Sequence, residues 1–458
     1  MQQAVFYPYL KESARIKKLN SFCWIIELYS NENTAISPID AFLLSLCTGQ
    51  YDTETISYLF ANTLHVNTEA VTGLVQKTFD KYKKCLSFLE QPAECAERYN
   101  SADFLYDPTA AKGIRPRCET PVEMHLSLTH RCNFKCIYCF NAAGNTHENE
   151  LSTKEWIDVI RQGKEFGVIR CTLTGGEPMM HPGFFQILEE VLKYDMLPTI
   201  CTNGSFIDSE TVGRLKSLKV PLVQISLDAA TSETCDRLTA KKGSFEQITS
   251  AINMLVCAGI PVYVKAVLTP LNVKEAGGLV DLCAQLGVAQ LTLDRYDVSS
   301  CGRGGTELII SKKDEEFVKE AVYARAEKYK EKLAVNVVSY PRKWHGEDDI
   351  IPCGAFRRSF IVLPSGDISA CEKLVDVPHM SAGNVRRNSI SEIWNSHRIL
   401  DIIEPQKSEL DEACKECEFI EKCGTGCYAI KHFLNKNPYG VDPRCFCSCS
   451  ENNPYENL

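Results

Sequence analysis

The sequence predicts an α/β protein. Its centre is a partial barrel of six strand–helix units, with a small winged-helix-like module ahead and a loop-rich, cysteine-rich region behind. Three observations predict this. Between residues 122 and 296, six short apolar runs alternate with five amphipathic stretches, the pattern of a parallel sheet with helical crossovers. Before them, strand-like and helix-like segments come in blocks with no close cysteine cluster. After them, close-spaced cysteines gather where regular periodicity fades.

In the front module, FCWIIELYSNENTAISP (22–38) reads as strand, Asn-rich turn and second strand. Helical spacing follows in 38–46, 53–64 and 67–89, with Asp40, Thr53 and Asn67 as candidate starts. The module spans 1–92, and the Pro-, Gly- and charge-bearing stretch 93–120 reads as a linker. The barrel spans 121–300. Its strand-like runs are 122–129, 169–174, 197–203, 220–228, 260–268 and 289–296. Amphipathic stretches lie near 152–166, 183–194, 208–218, 245–258 and 273–286. Six such units form an open barrel rather than the closed eight-fold one, with chemistry expected at the C-terminal strand ends. A bridging region, 301–345, leads to the cysteine-rich region 346–458.

Composition bounds the function. The chain has 458 residues, 44% apolar and 24% charged, so it is a multi-domain globular protein. No apolar run is long enough for a membrane helix, and the start MQQAVFYPYLKESARIKK lacks a secretory signal pattern, so a cytoplasmic location is expected. A net charge of -9 without a strong basic block argues against nucleic acid as the main partner. In such a chain the 23 cysteines read as metal ligands or reactive thiols before disulfides. Cys47, Cys171, Cys201 and Cys257 sit in apolar runs and read as small buried residues.

The stretch LTHRCNFKCIYCFN (128–141) follows the first barrel strand and holds Cys132, Cys136 and Cys139. Three thiolates can hold three irons of a [4Fe–4S] cube and leave the fourth open. An open position marks a catalytic metal site. A zinc knuckle with a distant fourth ligand is the alternative. Phe134, Tyr138 and Phe140 would limit water around the thiols. Past the second strand, LTGGEP (173–178) brings glycines that permit close backbone approach and a carboxylate, Glu177, able to accept from an ammonium. TNG (202–204) and SLD (226–228) end the third and fourth strands.

CNFKCIYC resembles the CxxxCxxC loop of the radical S-adenosylmethionine (SAM) superfamily. That resemblance implies a cluster whose open iron binds SAM, and reductive cleavage of SAM to a 5′-deoxyadenosyl radical. It further implies SAM contacts from Tyr138, Gly175, Gly176, Glu177, Pro178, Asn203, Ser226 and Asp228. A helix cap or a plain turn is the other reading of Ser226, Asp228 and Asn203. The resemblance names no separate catalytic side chain.

The later cysteines run Cys353, Gly366, Cys371, then Cys414-x2-Cys417-x5-Cys423-x3-Cys427, a gap, and Cys445. This is similar to the seven-cysteine SPASM extension of radical SAM peptide maturases. It implies two auxiliary [4Fe–4S] clusters, one on Cys414, Cys417, Cys423 and Cys445, the other on Cys353, Cys371 and Cys427. Some relatives supply an eighth cysteine where this chain has Glu347, so the second cluster is expected to have an open iron unless Cys301, Cys447 or Cys449 closes it. A pair of zinc ribbons is the alternative. The front module resembles the PqqD-like leader-recognition domain, with 33–60 resembling the segment around its first helix. Such modules add a leader peptide to an exposed sheet edge, and the strand around Trp24–Tyr29 is the expected edge.

Together these resemblances imply a peptide maturase with three clusters, SAM and an external reductant such as ferredoxin or flavodoxin. The implied partner is a Cys-containing precursor peptide, and the expected product is a thioether, as in sactipeptide and ranthipeptide synthases. Carbon–carbon or carbon–oxygen cross-linking is the enzymatic alternative. A formylglycine-forming sulfatase maturase fits less well, because that family places an Asp where this chain has Glu372. A non-catalytic iron–sulfur regulatory or peptide-binding protein is the reading from another class. CGRGG (301–305), just past the sixth strand, resembles a Gly-Arg segment of such peptide maturases, with a plain turn as the favoured reading.

Overall fold

The computed structural model describes residues 5–443 except 12, 19–22, 28–32, 94–97, 106–116, 142, 145–148, 300–302, 338–352, 376, 404–408, 418–419, 421–424 and 438. The chain divides into two compact units, Met1–Glu119 and Thr120–Leu458.

The first unit contains β1 (Tyr7–Leu10), β2 (Ala14–Lys18), β3 (Cys23–Glu27), β4 (Asn33–Ile36), helices α1 (Pro38–Ser45), α2 (Thr53–Thr63) and α3 (Thr68–Lys81), and β5 (Leu86–Leu89). Strands β2, β3 and β4 form an antiparallel sheet in that order, while β1 pairs with β5. Ile16, Ile25, Ile36, Phe42, Phe60, Val75 and Phe79 close the core. One of the expected helix starts moves: α1 begins at Pro38 rather than Asp40, whereas Thr53 opens α2. The caps are Ser37 and Asp52, whose side chains accept from Asp40 N (3.0 Å) and Thr55 N (2.7 Å), while Asn67 caps α3 as expected. Asp40 is instead buried, accepting from Thr78 Oγ1 (3.2 Å), Lys81 Nζ (3.2 Å) and Tyr82 OH (2.9 Å). The third helix stops at Lys81, short of the expected 89, because the chain returns as β5 to pair with β1.

The expected open edge is also corrected. β3 is the central strand, paired with β2 on one side and β4 on the other. The run ARIKK hid β2, since its lysines do not look like strand interior. Lys17 is nevertheless buried, and burial lowers its pKa to about 8 against the pull of Cys118 and Glu119. The far side of β2 is covered. Ile16 N donates to Tyr99 OH at 2.9 Å and Lys18 pairs with Glu119 at 3.6 Å. Tyr99, Phe104 and Glu119, within the stretch read as a linker, therefore pack on this unit. Among the described residues β4 pairs only with β3.

The second unit begins as a βα series. It runs β6 (Glu123–Ser127), α4 (Thr153–Glu165), β7 (Arg170–Thr174), α5 (Phe184–Lys193), β8 (Leu197–Thr202), α6 (Ser209–Ser217) and β9 (Val223–Ser226). It continues with α7 (Ser232–Thr239), α8 (Ser244–Cys257), β10 (Val262–Leu268), α9 (Ala276–Leu286), β11 (Gln290–Arg295), α10 (Lys312–Tyr329) and β12 (Ala334–Val337). Three strands follow: β13 (Ser359–Val362), β14 (Asp367–Ser369) and β15 (Ser381–Asn384). All ten strands form one sheet, ordered β12-β11-β10-β9-β8-β7-β6-β13-β14-β15. The sheet is parallel from β12 through β13, and antiparallel over β13-β14-β15.

The six expected strands are all present. α7 was not foreseen, and the bridging region supplies one more helix–strand unit, α10 and β12, that a charged helix and a four-residue strand concealed. The cysteine-rich region does not stand apart, since β13 continues the barrel sheet beside β6.

Register shows which face does what. Met124, Leu126, Leu173, Ile200, Val223, Ile225, Val264, Leu291 and Leu293 point to the helices and form the core. The alternate positions carry Glu123, His125, Thr172, Cys201, Gln224, Lys265 and Asp294, so the inner face is polar. Cys47 and Cys171 are buried as expected, but Cys201 is half-buried on this inner face, with its sulfur accepting from Gln224 Nε2 at 3.3 Å, and Cys257 is exposed.

Candidate functional site: a three-thiol loop and a three-thiol cavity

The loop bearing Cys132, Cys136 and Cys139 leaves β6 at the C-terminal end of the strands. Backbone bonds fix its course. Lys135 N and Ile137 N donate to Thr239 O (3.2 Å) and Leu238 O (2.9 Å) at the end of α7, and Cys139 N turns back onto Cys136 O (3.2 Å). The segment after β7 lies directly beneath. Gly176 N and Glu177 N donate to Thr129 O (2.7 Å) and Arg131 O (2.8 Å). A Cβ on Gly175, whose φ is +142°, would meet Thr129 O at 2.7 Å, and one on Gly176 would meet Arg131 O at 2.3 Å. These glycines bring the GGEP turn against the thiol loop's own backbone.

Glu177 is fully buried. Its carboxylate, read from sequence as an ammonium acceptor, takes Thr202 Oγ1 (2.8 Å), Asn203 N (2.8 Å) and Met179 N (3.2 Å). Burial raises its pKa to about 7, against these hydrogen bonds. Pro178 is buried behind it. Asn203 Nδ2 donates to Asn133 Oδ1 (3.0 Å) and lies 3.8 Å from Cys132 Sγ, so it reaches the thiol loop. Asp228 is buried and accepts from Tyr138 OH and from Val267 N (2.8 Å), while burial raises its pKa to about 6. Ser226 ends β9 on the inner face, half-buried.

The CGRGG segment proves to be more than a turn. Arg303 N donates to Cys139 O (3.2 Å) and its guanidinium to Ala143 O, while Ser299 Oγ donates to Phe140 O (3.0 Å). A Cβ on Gly304 would meet Ile137 O at 3.0 Å. A paired glycine after the last predicted strand was the available signal.

Cys132 feels the charge of Cys139, and Cys136 feels that of Cys139 and Cys132. Burial pushes Cys132 and Cys136 upward, so without a cationic guest they stay protonated. Thiol ligands must deprotonate to bind metal, so loading this loop releases protons. A second set of thiols meets at the end of the barrel sheet. Cys353, Cys371 and Cys427 line one partly open cavity, with Ala355, Ala370 and Leu374 among its apolar walls. Burial raises the Cys371 thiol, and the charges of Cys427 and Cys353 raise it further. Gly366, at φ +87°, makes the turn from β13 to β14, and Cys371 follows β14.

Among the described residues, no three Cys, His, Asp or Glu side chains converge as a single metal ion would require. Thiols set around a volume, with apolar walls, suit a cluster whose corners stand apart. Cys414 lies within a short helix, Glu412–Lys415, and Cys417 two residues past its end, while Cys423 and Cys445 lie outside the described residues, as do Glu347, Cys301, Cys447 and Cys449.

Residues 126–283 match the model of the Radical SAM superfamily, and 353–418 match the iron–sulfur cluster-binding domain called SPASM. The chain is a radical SAM/SPASM enzyme. It is related to peptide-modifying maturases. The radical SAM/SPASM chain is 27% identical over 461 residues to the Bacillus subtilis antilisterial bacteriocin subtilosin biosynthesis protein AlbA, covering 99% of this chain and 98% of that one. It is 25% identical to a Rhizobium meliloti PqqA peptide cyclase, over 76% of this chain and 92% of the cyclase. Its fold resembles Streptococcus suis SuiB bound to precursor peptide SuiA, with a TM-score of 0.74, 18% identity, and 97% and 100% of the two chains covered. A SAM-binding cluster and auxiliary iron–sulfur clusters are thus its cofactor class, and no described helix is long and apolar enough to cross a membrane.

Proposed function

We propose that this enzyme installs thioether cross-links, from Cys sulfur to carbon, in a ribosomally synthesised precursor peptide. The observation that carries the reading is the cavity ringed by Cys353, Cys371 and Cys427. Three ligands leave one corner of a cube for a substrate thiolate. Cys132, Cys136 and Cys139 would hold the SAM-binding cluster, with Tyr138, Gly175, Gly176, Glu177, Pro178, Asn203, Ser226 and Asp228 around SAM. Cys414, Cys417, Cys423 and Cys445 would hold the remaining auxiliary cluster, for three [4Fe–4S] clusters in all. When bound and reduced, the loop cluster and SAM supply the 5′-deoxyadenosyl radical.

The chain's own residues prepare that chemistry. Glu177 ties the GGEP turn to the end of β8, and Asp228 fixes Tyr138 within the thiol loop. Gly175 and Gly176 hold the loop from below. The polar inner face of the sheet offers hydrogen bonds along which an extended peptide can lie. In the first unit, of winged-helix-like make-up, a leader would add to β4, an edge strand of the β2-β3-β4 sheet whose other edge, β2, is covered by Tyr99. The near full-length likeness to the subtilosin biosynthesis protein supports a leader-binding role, because that match includes the first unit. An electron donor such as ferredoxin or flavodoxin would serve the clusters in the cytoplasm.

Carbon–carbon cross-linking is the second reading, favoured by the likeness to the PqqA peptide cyclase over most of the chain. Incubation of reconstituted enzyme with SAM, dithionite and a Cys-rich precursor encoded nearby separates the two. Thioether formation removes two hydrogens per cross-link and blocks alkylation of the donor thiols. The same mass loss with free thiols would sink the thioether reading in favour of carbon–carbon bonds.

A further inference from the structure

The residues immediately after Cys371 do something the cluster reading leaves unused. Glu372 and Lys373 are neighbours in sequence, yet they reach opposite flanks of the barrel. Glu372 Oε1 accepts from His125 Nδ1 on β6 at 3.3 Å, and the other nitrogen of His125 lies 3.6 Å from Glu123. Thr172 Oγ1 on β7 steadies Glu123 at 2.5 Å. Lys373 Nζ donates to Asp297, two residues past β11. Lys265 on β10, paired with Asp294 at 3.3 Å, adds its charge to the field that Glu372 feels.

Four strands separate β6 from β11 in the sheet. On a flat sheet five strand spacings would set them ~24 Å apart, while consecutive Cα atoms are ~3.8 Å apart. Two adjacent side chains meet both flanks only because the sheet is rolled, and they span its open side. Both pairs are sheltered: Asp297 is 9% exposed and His125 30%. Ion pairs in such partial shelter hold geometry better than surface pairs do.

We propose that Glu372 and Lys373 are positioning residues, a two-armed strap that sets where the Cys353/Cys371/Cys427 cavity stands relative to the radical SAM loop. The strap rests on reading those thiols as auxiliary-cluster ligands. One arm anchors to β6, the strand that continues into the loop of Cys132, and the other to the last of the six predicted strands. The strap thereby fixes the separation of two redox centres across the peptide chamber.

The test uses the full-length, reconstituted and reduced enzyme. Pulsed EPR reports the separation of the loop cluster and the auxiliary cluster, while iron per chain and peptide-independent cleavage of SAM are followed in parallel. His125→Gln and Lys373→Met are expected to broaden and shift the separation with iron content and SAM cleavage unchanged. Lys373→Arg is expected to keep the wild-type separation. Lys373→Asp combined with Asp297→Lys is expected to restore what either change alone disturbs. A wild-type separation in both His125→Gln and Lys373→Met, with iron intact, overturns the strap. So does loss of auxiliary iron in Lys373→Arg, which would mark a purely structural role. If the wild type itself shows no auxiliary signal, the ligand reading fails and the strap with it, whereas a present but insensitive signal removes only the strap.

Discussion

At Gly176 an added methyl group would sit 2.3 Å from Arg131 O, inside any real contact distance. Backbone cannot yield as a flexible side chain would, so Gly176→Ala should displace the thiol loop at a cost of about 1–3 kcal/mol. The expected result is loss of the loop's iron and of SAM cleavage, read by iron analysis and 5′-deoxyadenosine formation. Retention of both would show that the loop tolerates a shift. His125 titrates under opposed influences. Burial lowers its pKa, but Glu123 and Glu372 lift it to about 9. The unfolded value is near 6.5, so the folded state holds the extra proton between the two. Its contribution to stability is fully present below pH 6.5, declines as pH rises, and is gone above about pH 9. Thermal melts from pH 6 to 9.5 should therefore drop more steeply in wild type than in His125→Gln.

Elements differ in how far local chemistry decides them. Helix α2 is capped by Asp52, whose carboxylate accepts from Thr55 N at 2.7 Å. Asp52→Ala should cost ~1 kcal/mol, seen as a lower melting temperature of the first transition or of the whole chain. On α3, Gly73 has open space where a Cβ would go. Gly73→Ala should raise stability by up to ~1 kcal/mol through helix propensity alone, and a decrease would mean that this face is covered by something the described residues lack. Strand β2 shows the reverse dependence. ARIKK has little strand character by itself, yet its five residues pair across the whole of β3, which makes β3 central and, among the described residues, leaves β4 with no second strand partner. Which strand is an edge is a property of the sheet, and no single strand carries that information.

The whole molecule separates two capacities. Under the proposed function the loop at the end of β6 would serve SAM cleavage, and the thiols beyond β13 would serve oxidation and sulfur handling. Cys371→Ala and Cys427→Ala should therefore retain peptide-independent SAM cleavage while abolishing cross-linking and lowering iron per chain. Cys136→Ala should abolish both. Simultaneous loss of SAM cleavage in the Cys371 and Cys427 variants would show that the two sites fold as one. Continuity of β13 with β6 makes that outcome worth measuring, because the thiol cavity is built on the same sheet as the barrel.

Cysteine spacing and strand–helix alternation are local patterns, and they were enough to place the three-thiol loop and the six predicted strands, whereas the grouping of Cys353, Cys371 and Cys427 came from the resemblance to the SPASM extension. Residues close in sequence, such as Cys136 and Cys139 or Gly175 and Gly176, must stay near one another in any fold, so their chemistry is legible from order alone. The structure decided what depends on distance through space. It made β3 a central strand, occupied Glu177 and Asp228 with partners on adjacent strands, and turned Cys201 to the polar inner face. It also joined Glu372 to His125, 247 residues earlier. Such pairs arise where a rolled sheet brings remote strands together, and a contact of that range leaves no periodic trace in the chain that makes it.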